Sequence, residues 1–286
     1  MTEWIYGRHA VEEALKADRR KVFRLLLADS SLPREKSAQP SKEEWARPGK
    51  PARAPLPSDR QPGHAHDKPD RFDGLIALAR ERRAQIERVP PVRLDALTRV
   101  GHHHQGVAAE VSPFPYISLA ETVGLCERAG KEALVLILDS IQDPQNFGTL
   151  LRTAEAVGVT GIVMLDRRQV EVTPAVSNAS SGAVEHLNIC LANNLARAID
   201  DLKEAGLWVY ALQAEHDATL YTSADLRGPL GLVVGSEGKG VGQLVRRHCD
   251  AALSIPMWGK VESLNAAVAG SVVLYETLRQ RGDGGR

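Results

Sequence analysis

The sequence has little of what would mark a secreted or membrane protein. Its only cysteines are Cys126, Cys190 and Cys249, which lie about 60 residues apart. An odd number without zinc-finger spacing predicts neither a disulfide framework nor a cysteine-based zinc site. No basic stretch followed by an apolar one opens the chain, and the apolar run at residues 133–138 is far too short to span a bilayer. We therefore expect a cytoplasmic protein without a membrane segment.

Net charge is also absent, because 36 Lys and Arg residues balance 36 Asp and Glu residues. A protein that binds nucleic acid through bulk charge would show an excess of basic residues. The balance hides an asymmetry: residues 1–114 carry a net charge of +5 and residues 115–286 a net charge of −5. Such a split suggests two functional parts, with an anionic partner at the first.

Residues 31–73 interrupt the helix and strand patterns of the first part. They contain eight of the chain's 16 prolines and few large apolar side chains, so they cannot bury enough surface to offset the entropy of ordering. We expect a disordered insertion here, within an N-terminal domain of residues 1–112 whose later part includes a helix over residues 75–88. Two prolines then open a predicted linker, residues 113–131, which contains a short helix.

Residues 132–286 alternate between strand and helix patterns. The run at residues 134–138 is continuously apolar, as expected for a parallel strand that is covered on both faces. The pattern predicts five further strands, at residues 161–165, 188–191, 207–212, 230–234 and 251–255. Helices are predicted over about 148–157 and over 263–281, among others. This alternation favours an α/β fold with a mostly parallel sheet.

Three polar segments follow predicted strands, at the end of the sheet where ligands collect in open α/β folds. In the first, Asn146 is placed in a strand-to-helix turn, with Arg152 about one turn into the helix. The second, residues 234–240, has three glycines that permit close backbone approach to a ligand. In the third, Ser263 is predicted to cap the closing helix. Taken singly, each segment is also explained by a tight turn, a surface arginine or an ordinary capped helix.

Several other kinds of site fit poorly. Lys239 is followed by glycine, so residues 235–240 are not a Walker A loop, and they come too late in the chain for the dinucleotide-binding fingerprint. His102, His103 and His104 are adjacent, and no cysteine or carboxylate completes a ligand set, so a metal site is not expected. The Gly-x-Ser-x-Gly signature of a hydrolase is missing.

Taken together and in this order, the three segments resemble the motifs of the SpoU/TrmH branch of the SPOUT RNA methyltransferases. The matching residues are Asn146-Phe-Gly148 with Arg152, Gly235-Ser-Glu237-Gly238, and Ile255-Pro-Met257 with Ser263-Leu264-Asn265. The match covers about residues 132–281. The runs at residues 5–15 and 104–108 look like the substrate-binding domain of the 23S rRNA guanosine 2′-O-methyltransferase group, a pattern from which the insertion departs.

The resemblance implies a trefoil-knotted C-terminal α/β domain, a smaller N-terminal α/β domain that binds RNA, and a homodimer. It implies S-adenosylmethionine as the cofactor and rRNA as the partner, with no metal. The implied catalytic set is Asn146, Arg152, Glu237, Ser263 and Asn265. The implied cofactor contacts, made chiefly through the backbone, are Gly235, Ile255, Met257 and Leu264.

The implied reaction is attack of a ribose 2′-hydroxyl on the sulfonium methyl group. Arg152 is commonly given the role of activating that hydroxyl in this family, but an ordinary arginine pKa above 12 suits a base poorly. We expect Arg152 instead to hold a phosphate and to stabilise developing alkoxide charge, while the proton passes to phosphate or water. Glu237 would fix Arg152 or Asn146 through charge-assisted hydrogen bonds.

Three alternatives remain open at this point. A tRNA ribose methyltransferase would carry the same motifs. A non-catalytic RNA-binding protein of the same fold is disfavoured because all five implied catalytic residues are present. A nicotinamide-dependent dehydrogenase fits the strand and helix alternation but lacks Gly-x-Gly-x-x-Gly after its first strand.

Overall fold

The computed structural model describes residues 2–32, 71–98, 103–167, 171–213, 218–260 and 263–282. Within them the chain builds two β-sheets, one of four strands and one of seven. Most of the predicted insertion, residues 33–70, lies outside the described residues.

The first domain places helices against a four-stranded mixed sheet. Its elements are β1 (Glu3–Tyr6), α1 (Arg8–Ala17), β2 (Val22–Ala28), α2 (Asp73–Glu81), β3 (Gln85–Val89), α3 (Pro91–Asp95) and β4 (Val107–Val111). The strand order is β1-β4-β2-β3, in which β4 is antiparallel to both of its neighbours and β2 is parallel to β3. Val11, Ala14 and Leu15 form part of the buried face of α1, because residues three and four apart lie on one side of a helix.

The predicted helix over residues 75–88 is wrong in its second half. The helix α2 ends at Glu81, and Arg83 takes a left-handed backbone conformation with φ of 56°. The chain then continues as β3, which pairs with β2. Residue 72 also departs from the prediction of a disordered stretch, since Phe72 is buried in the core of the first domain.

The second domain is built on a parallel sheet between two layers of helices. Its elements are α4 (Leu119–Ala129), β5 (Leu134–Asp139), α5 (Pro144–Ala156), β6 (Gly161–Leu165), α6 (Pro174–Ala179), β7 (Ile189–Ala192), α7 (Leu195–Glu204), β8 (Trp208–Leu212), β9 (Thr219–Leu220), β10 (Leu230–Gly235), α8 (Gln243–His248), β11 (Ala251–Ser254) and α9 (Ala266–Gly282). Short 3₁₀ helices span Gly130–Glu132 and Ala183–His186. The α/β class and the parallel sheet are thereby confirmed.

The strand order of the large sheet is β7-β6-β5-β10-β8-β11-β9, with every neighbouring pair parallel. All six residues of β5 and all six of β10 are buried, as expected for central strands that are covered on both faces. One apolar cluster on one side of the sheet includes α5 and α9, and a second on the other side includes α4 and α7. This order is consistent with a knotted domain, and the knot itself stays a prediction.

The two domains meet across a buried polar contact. Arg20, which follows α1, has a side chain only 1% exposed, and it pairs with Glu3 of its own domain and with the equally buried Glu185 of the second domain. Its Nε also donates to the carbonyl of Ser112 at 2.8 Å. Within the predicted linker of residues 113–131, α4 packs against β6 and β7, so this helix lies with the second domain. A buried, multiply bonded arginine fixes the geometry at the junction.

None of the helices in the described stretches combines the length and the apolarity needed to cross a membrane.

Candidate active site

The three polar segments follow β5, β10 and β11, at the carboxyl ends of the large sheet. The first continues into α5, the second forms the loop between β10 and α8, and the third joins β11 to α9. Because β10 lies directly beside β5, the ends of these two strands deliver the first and second segments to one place. The fold therefore brings together segments that are about 90 and 120 residues apart in the chain.

Asn146, Glu237 and Asn265 form one hydrogen-bonded cluster. Asn146 donates from Nδ2 to Glu237 Oε1 at 2.9 Å. Asn265 donates from Nδ2 to Asn146 Oδ1 at 2.9 Å and also to Glu237 Oε1. One residue from each segment thus contributes to the cluster, with the Glu237 carboxylate accepting from both amides. Glu237 was expected to bond to Arg152 or to Asn146, and in the structure it bonds to Asn146, whereas Arg152 bonds to Ser181.

Two helix starts differ from those predicted. The helix α5 begins at Pro144, with Asp143 as its cap: Asp143 Oδ2 accepts from the backbone N–H of Asn146 at 3.1 Å. Asn146 therefore lies in the first turn of the helix and not in the turn before it. Proline at the first helical position, which needs no N–H partner, explains the earlier start.

The helix α9 is capped by Asn265 and not by Ser263. Asn265 Oδ1 accepts from the backbone N–H groups of Ala267 at 2.9 Å and Val268 at 3.2 Å. Asparagine is a strong N-cap residue because its short side chain reaches back to those free donors. Since its Nδ2 faces Asn146 and Glu237, one side chain both starts the helix and joins the cluster.

A cleft of about 500 Å³ opens beside the cluster. It is lined by residues from the ends of β8, β10 and β11, from the second and third polar segments and from the start of α9, among them Gly235, Glu237, Ile255, Met257, Ser263 and Leu264. All four residues expected to contact a cofactor thus line one cleft. Two of the implied catalytic residues, Glu237 and Ser263, line it as well.

Gly235 is required by the shape of this cleft. A Cβ atom at residue 235 would lie 2.1 Å from the backbone carbonyl of Gly240, a separation that atoms cannot adopt. A hydrogen bond also joins the loop to the end of β5: the buried carboxylate of Asp139 accepts from the backbone N–H of Gly242 at 2.8 Å. The glycine lets residues 235–240 fold back on themselves, and Asp139 anchors the far end of the turn.

Gln213 is a site residue that the sequence motifs do not reveal. It follows β8 and lines the cleft, and its Oε1 is buried without a hydrogen-bond partner among the described residues. A buried acceptor left unpaired costs free energy, so this atom is suited to a donor on a bound ligand. The only signal in the sequence is its position after a strand of the parallel sheet.

Arg152 lies on α5 and its side chain is exposed. Its Nη1 donates to Ser181 Oγ at 3.2 Å, so the hydroxyl of Ser181 holds the guanidinium. Gly148, one turn before Arg152, lets α5 approach α6 closely: a Cβ there would lie 2.4 Å from Ala179 Cβ. The packing of α5 on α6 thereby brings Arg152 next to the turn that contains Ser181.

The second and third polar segments expose an aromatic ring and two lysines. The side chain of Trp258 is 95% exposed, and that of its neighbour Met257, which lines the cleft, is 38% exposed. Lys239 and Lys260 are also exposed, and Lys239 lines the cleft.

The other residue types considered for chemistry are accounted for by the fold. Burial raises the pKa of the Cys126 thiol to about 11 and that of the Cys249 thiol to about 12, so neither is a nucleophile near neutral pH. His104 supports a turn, bonding to Asp95 Oδ1 at 3.0 Å and accepting from the N–H of Gly106 at 2.9 Å. In the described part of the chain, no cluster of three or more His, Cys, Asp or Glu residues could hold a metal ion.

Residues 133–275, half of the chain, match the model of the SpoU rRNA methylase family. The chain belongs to this family. Residues 4–49 and 63–117 of this SpoU family member match a second model, that of the RNA 2′-O ribose methyltransferase substrate-binding domain. The interruption at residues 50–62 falls within the predicted insertion. Membership in the family confirms the resemblance drawn from the three motifs and the prediction of an RNA methyltransferase.

Similar proteins carry related names. YacO of Bacillus subtilis (strain 168), named for the TrmH family of tRNA/rRNA methyltransferases, is 36% identical over 279 residues, covering 98% of this chain and 96% of YacO. A Staphylococcus saprophyticus protein named for the same family is 40% identical, covering 75% of this chain and 85% of that protein. Among solved structures, AviRb of Streptomyces viridochromogenes, a SpoU methyltransferase in complex with AdoMet, superposes with a TM-score of 0.71 at 22% identity, covering 99% of this chain and 92% of AviRb.

Proposed function

We propose that this SpoU family member transfers a methyl group from S-adenosylmethionine to the ribose 2′-hydroxyl of a guanosine in 23S rRNA. The observation that carries the proposal is the cluster of Asn146, Glu237 and Asn265 at the edge of the cleft, assembled from all three motifs. The match of the first domain to a substrate-binding model supports RNA as the partner.

The cleft suits S-adenosylmethionine in two respects that the structure provides. Gly235 lets residues 235–240 fold back tightly, so that this turn lines the cleft largely with backbone that a ligand can approach. Gln213 Oε1 is buried without a partner within the described part of the chain, so it can accept a hydrogen bond from an amino or hydroxyl group of the ligand. Gly235, Ile255, Met257 and Leu264 would hold the cofactor, which when bound supplies an electrophilic methyl group.

The chain's own residues would position the RNA hydroxyl and manage its charge. Asn146 and Asn265 are fixed by Glu237, so their amide groups are preorganised and need not reorient during the reaction. Arg152 would hold a phosphate of the RNA and stabilise negative charge on the 2′-oxygen as its proton leaves to phosphate or water. Ser263, which lines the cleft, would contribute a hydroxyl near the reacting groups.

The positioning role of Arg152 can be tested with Arg152→Lys. Lysine keeps the positive charge and can serve as a base, but it lacks the planar fork that binds a phosphate in two places. We expect turnover to fall by a factor of ten or more, with the Kd for S-adenosylmethionine unchanged in calorimetry. Turnover near that of the wild type would contradict this role.

The rRNA choice is tested by mapping ribose methylation in total RNA with and without the protein. We expect one guanosine of 23S rRNA to lose its methyl group when the protein is absent. A site found in tRNA alone would refute the choice and support the tRNA alternative, which the names of YacO and its relative also allow. Saturable binding of NAD without binding of S-adenosylmethionine would overturn the whole proposal.

We infer further that the protein forms a homodimer in the cytoplasm. The face of α9 turned away from the sheet exposes Val268, Tyr275 and Leu278, whose side chains are 47%, 52% and 39% exposed. Their spacing puts them on one side of the helix, where a second copy would cover them. Light scattering of the wild type should give a mass of two chains. The Tyr275→Glu variant should give the mass of one chain. The control Trp208→Glu, elsewhere on the surface, should still give the mass of two chains.

A further inference from the structure

The turn that follows α6 touches both the Arg152 side chain and the first domain. Ser181 and Gly182 form this turn with left-handed backbone conformations, φ of 53° and 85°. Ser181 N–H donates to the carbonyl of Asn178 at 2.9 Å, and Gly182 N–H donates to that of Ser177 at 2.8 Å. Since a left-handed serine is uncommon, the surrounding bonds hold Ser181 in a conformation that it would rarely adopt alone.

On one side the turn holds Arg152. The Ser181 hydroxyl accepts from Arg152 Nη1 at 3.2 Å. Because the arginine side chain is long and exposed, few other contacts restrict where its guanidinium lies. The hydroxyl therefore selects one orientation from many.

On the other side the turn is pressed against α1 of the first domain. A Cβ at residue 182 would lie 2.7 Å from Glu13 Cβ and 2.9 Å from the backbone carbonyl oxygen of His9. Only glycine allows the two backbones to approach so closely. Three residues further on, the buried Glu185 pairs with Arg20 across the same junction. This ion pair is a second contact that holds the turn against the first domain.

We propose that Ser181 is a positioning residue that fixes the guanidinium of Arg152, and that the docking of α1 on Gly182 fixes Ser181. The proposal rests on the function proposed above, since it assigns how the first domain prepares Arg152 for the RNA. Removal of the hydroxyl frees Arg152 without disturbing the cleft. Separation of α1 from the turn also frees Arg152, because Ser181 is then no longer held in place.

Two substitutions of Ser181 separate the hydroxyl from the backbone conformation. Ser181→Gly keeps the left-handed turn and loses the acceptor, whereas Ser181→Asn tolerates the same conformation and supplies an amide oxygen. We expect Ser181→Gly to lower kcat about tenfold, the size of one hydrogen bond to a charged group, with an unchanged Kd for S-adenosylmethionine. We expect Ser181→Asn to restore kcat to within about threefold of the wild type.

A double-mutant cycle shows whether Ser181 acts through Arg152. In an Arg152→Ala background, Ser181→Gly should have no further effect on kcat. An unchanged kcat in Ser181→Gly alone, or an equal loss in both backgrounds, would overturn the proposal.

A second readout needs no RNA and no methyl transfer. The NMR signal of the Arg152 side-chain N–H should show restricted motion in the wild type and free motion in Ser181→Gly. If the wild type methylates no RNA but this difference appears, the proposed function has failed and the positioning of Arg152 stands. If the difference is missing, the positioning has failed whatever the activity.

The role of the first domain is tested with Gly182→Ala, which should also free Arg152 in the NMR experiment. Gly206→Ala is the matched control, because Gly206 has a similar φ of 90° but nothing within 4 Å of an added Cβ. A folded Gly182→Ala protein with an ordered Arg152 would refute the docking part of the proposal. If Gly182→Ala does not fold, Glu185→Gln, which weakens the pair with Arg20, is used instead. A freed Arg152 is again the expected result, and an ordered Arg152 would refute the docking part of the proposal.

Discussion

Asn265 and Asn146 are joined directly by their side chains, with Nδ2 of Asn265 donating to Oδ1 of Asn146 at 2.9 Å. The two residues are 119 positions apart in the chain. The first lies at the start of α9 and the second in the first turn of α5, two helices that pack side by side. The bond shows that the first and third motifs form one unit, whose third member is Glu237.

We expect Asn265 to serve both stability and methyl transfer, and two substitutions should separate the roles. Asn265→Ala removes the cap of α9 and two bonds of the cluster, so unfolding free energy should fall by about 1 kcal/mol and methyl transfer should fall sharply. Asn265→Ser keeps a capping oxygen but loses the amide donors, so stability should be retained while activity is lost. Chemical denaturation and turnover measurements check both. Equal activity in Asn265→Ser and the wild type would contradict a role for the cluster.

Gly235→Ala should abolish cofactor binding, because the added Cβ would lie 2.1 Å from the backbone of Gly240 and force the loop out of the cleft. Gly259→Ala is the matched control: it lies in the third segment and meets nothing within 4 Å. Calorimetry with S-adenosylmethionine should show no measurable binding for the first variant and an unchanged Kd for the second. Normal binding by Gly235→Ala would mean that the cofactor lies elsewhere.

Gln213 should contribute to cofactor affinity through its buried Oε1, which has no hydrogen-bond partner among the residues that the structure describes. Gln213→Met keeps the length and volume of the side chain but removes the acceptor, so the Kd for S-adenosylmethionine should rise roughly tenfold, as for the loss of one buried hydrogen bond. The kcat at saturating cofactor should change little, because Gln213 is not one of the three hydrogen-bonded residues Asn146, Glu237 and Asn265. A lower Kd in Gln213→Met would show that the acceptor faces no donor on the ligand.

Trp258 is next in the chain to Met257, which lines the cleft, and it should act as a stacking platform for a base of the RNA. Stacking on an aromatic side chain contributes about 1–3 kcal/mol per base, so Trp258→Ala should raise the Kd for RNA about tenfold or more, and Trp258→Phe should recover much of the loss. Trp208→Ala serves as the control, since Trp208 is 53% exposed but begins β8, at the strand end away from the cleft. If Trp258→Ala changes the mass of the assembly in solution and leaves RNA affinity unchanged, the ring belongs to a subunit contact.

Glu276 should stabilise the protein in a pH-dependent way. Hydrogen bonds from Arg279 and Gln280 lower the pKa of its carboxyl to about 2. A depressed pKa in the folded state means that the stabilisation is complete above the ordinary pKa of about 4.5 and is lost as the pH falls towards 2. Glu276→Gln should therefore be less stable than the wild type at pH 7, and the difference should shrink between pH 4.5 and pH 2.

Urea unfolding at several pH values measures this difference. The effect should be modest, because Arg279 is 58% exposed and its charge is screened by solvent. Glu204→Gln, at an exposed carboxylate, should change stability by less than about 0.5 kcal/mol. A difference between Glu276→Gln and the wild type that does not vary with pH would show that the Glu276 contacts matter through packing alone.

The sequence by itself determined the class of the fold and the identity of the motifs. Apolar runs such as residues 134–138 and 230–234 become central parallel strands because covered strands need apolar side chains on both faces. The buried stripe of α1 was fixed in the same way by its spacing. These features are local, so a pattern over a few residues is enough to specify them.

Only the tertiary structure decided how the site is assembled. Glu237 meets Asn146 across 91 residues, a contact that depends on β10 lying beside β5 and not on either local sequence. The pairing of Glu237 with Asn146, the cap formed by Asn265, the bond from Arg152 to Ser181 and the open acceptor of Gln213 depend in the same way on which elements become neighbours. Local pattern specifies an element and the side chains it bears, whereas long-range packing specifies which of those side chains meet.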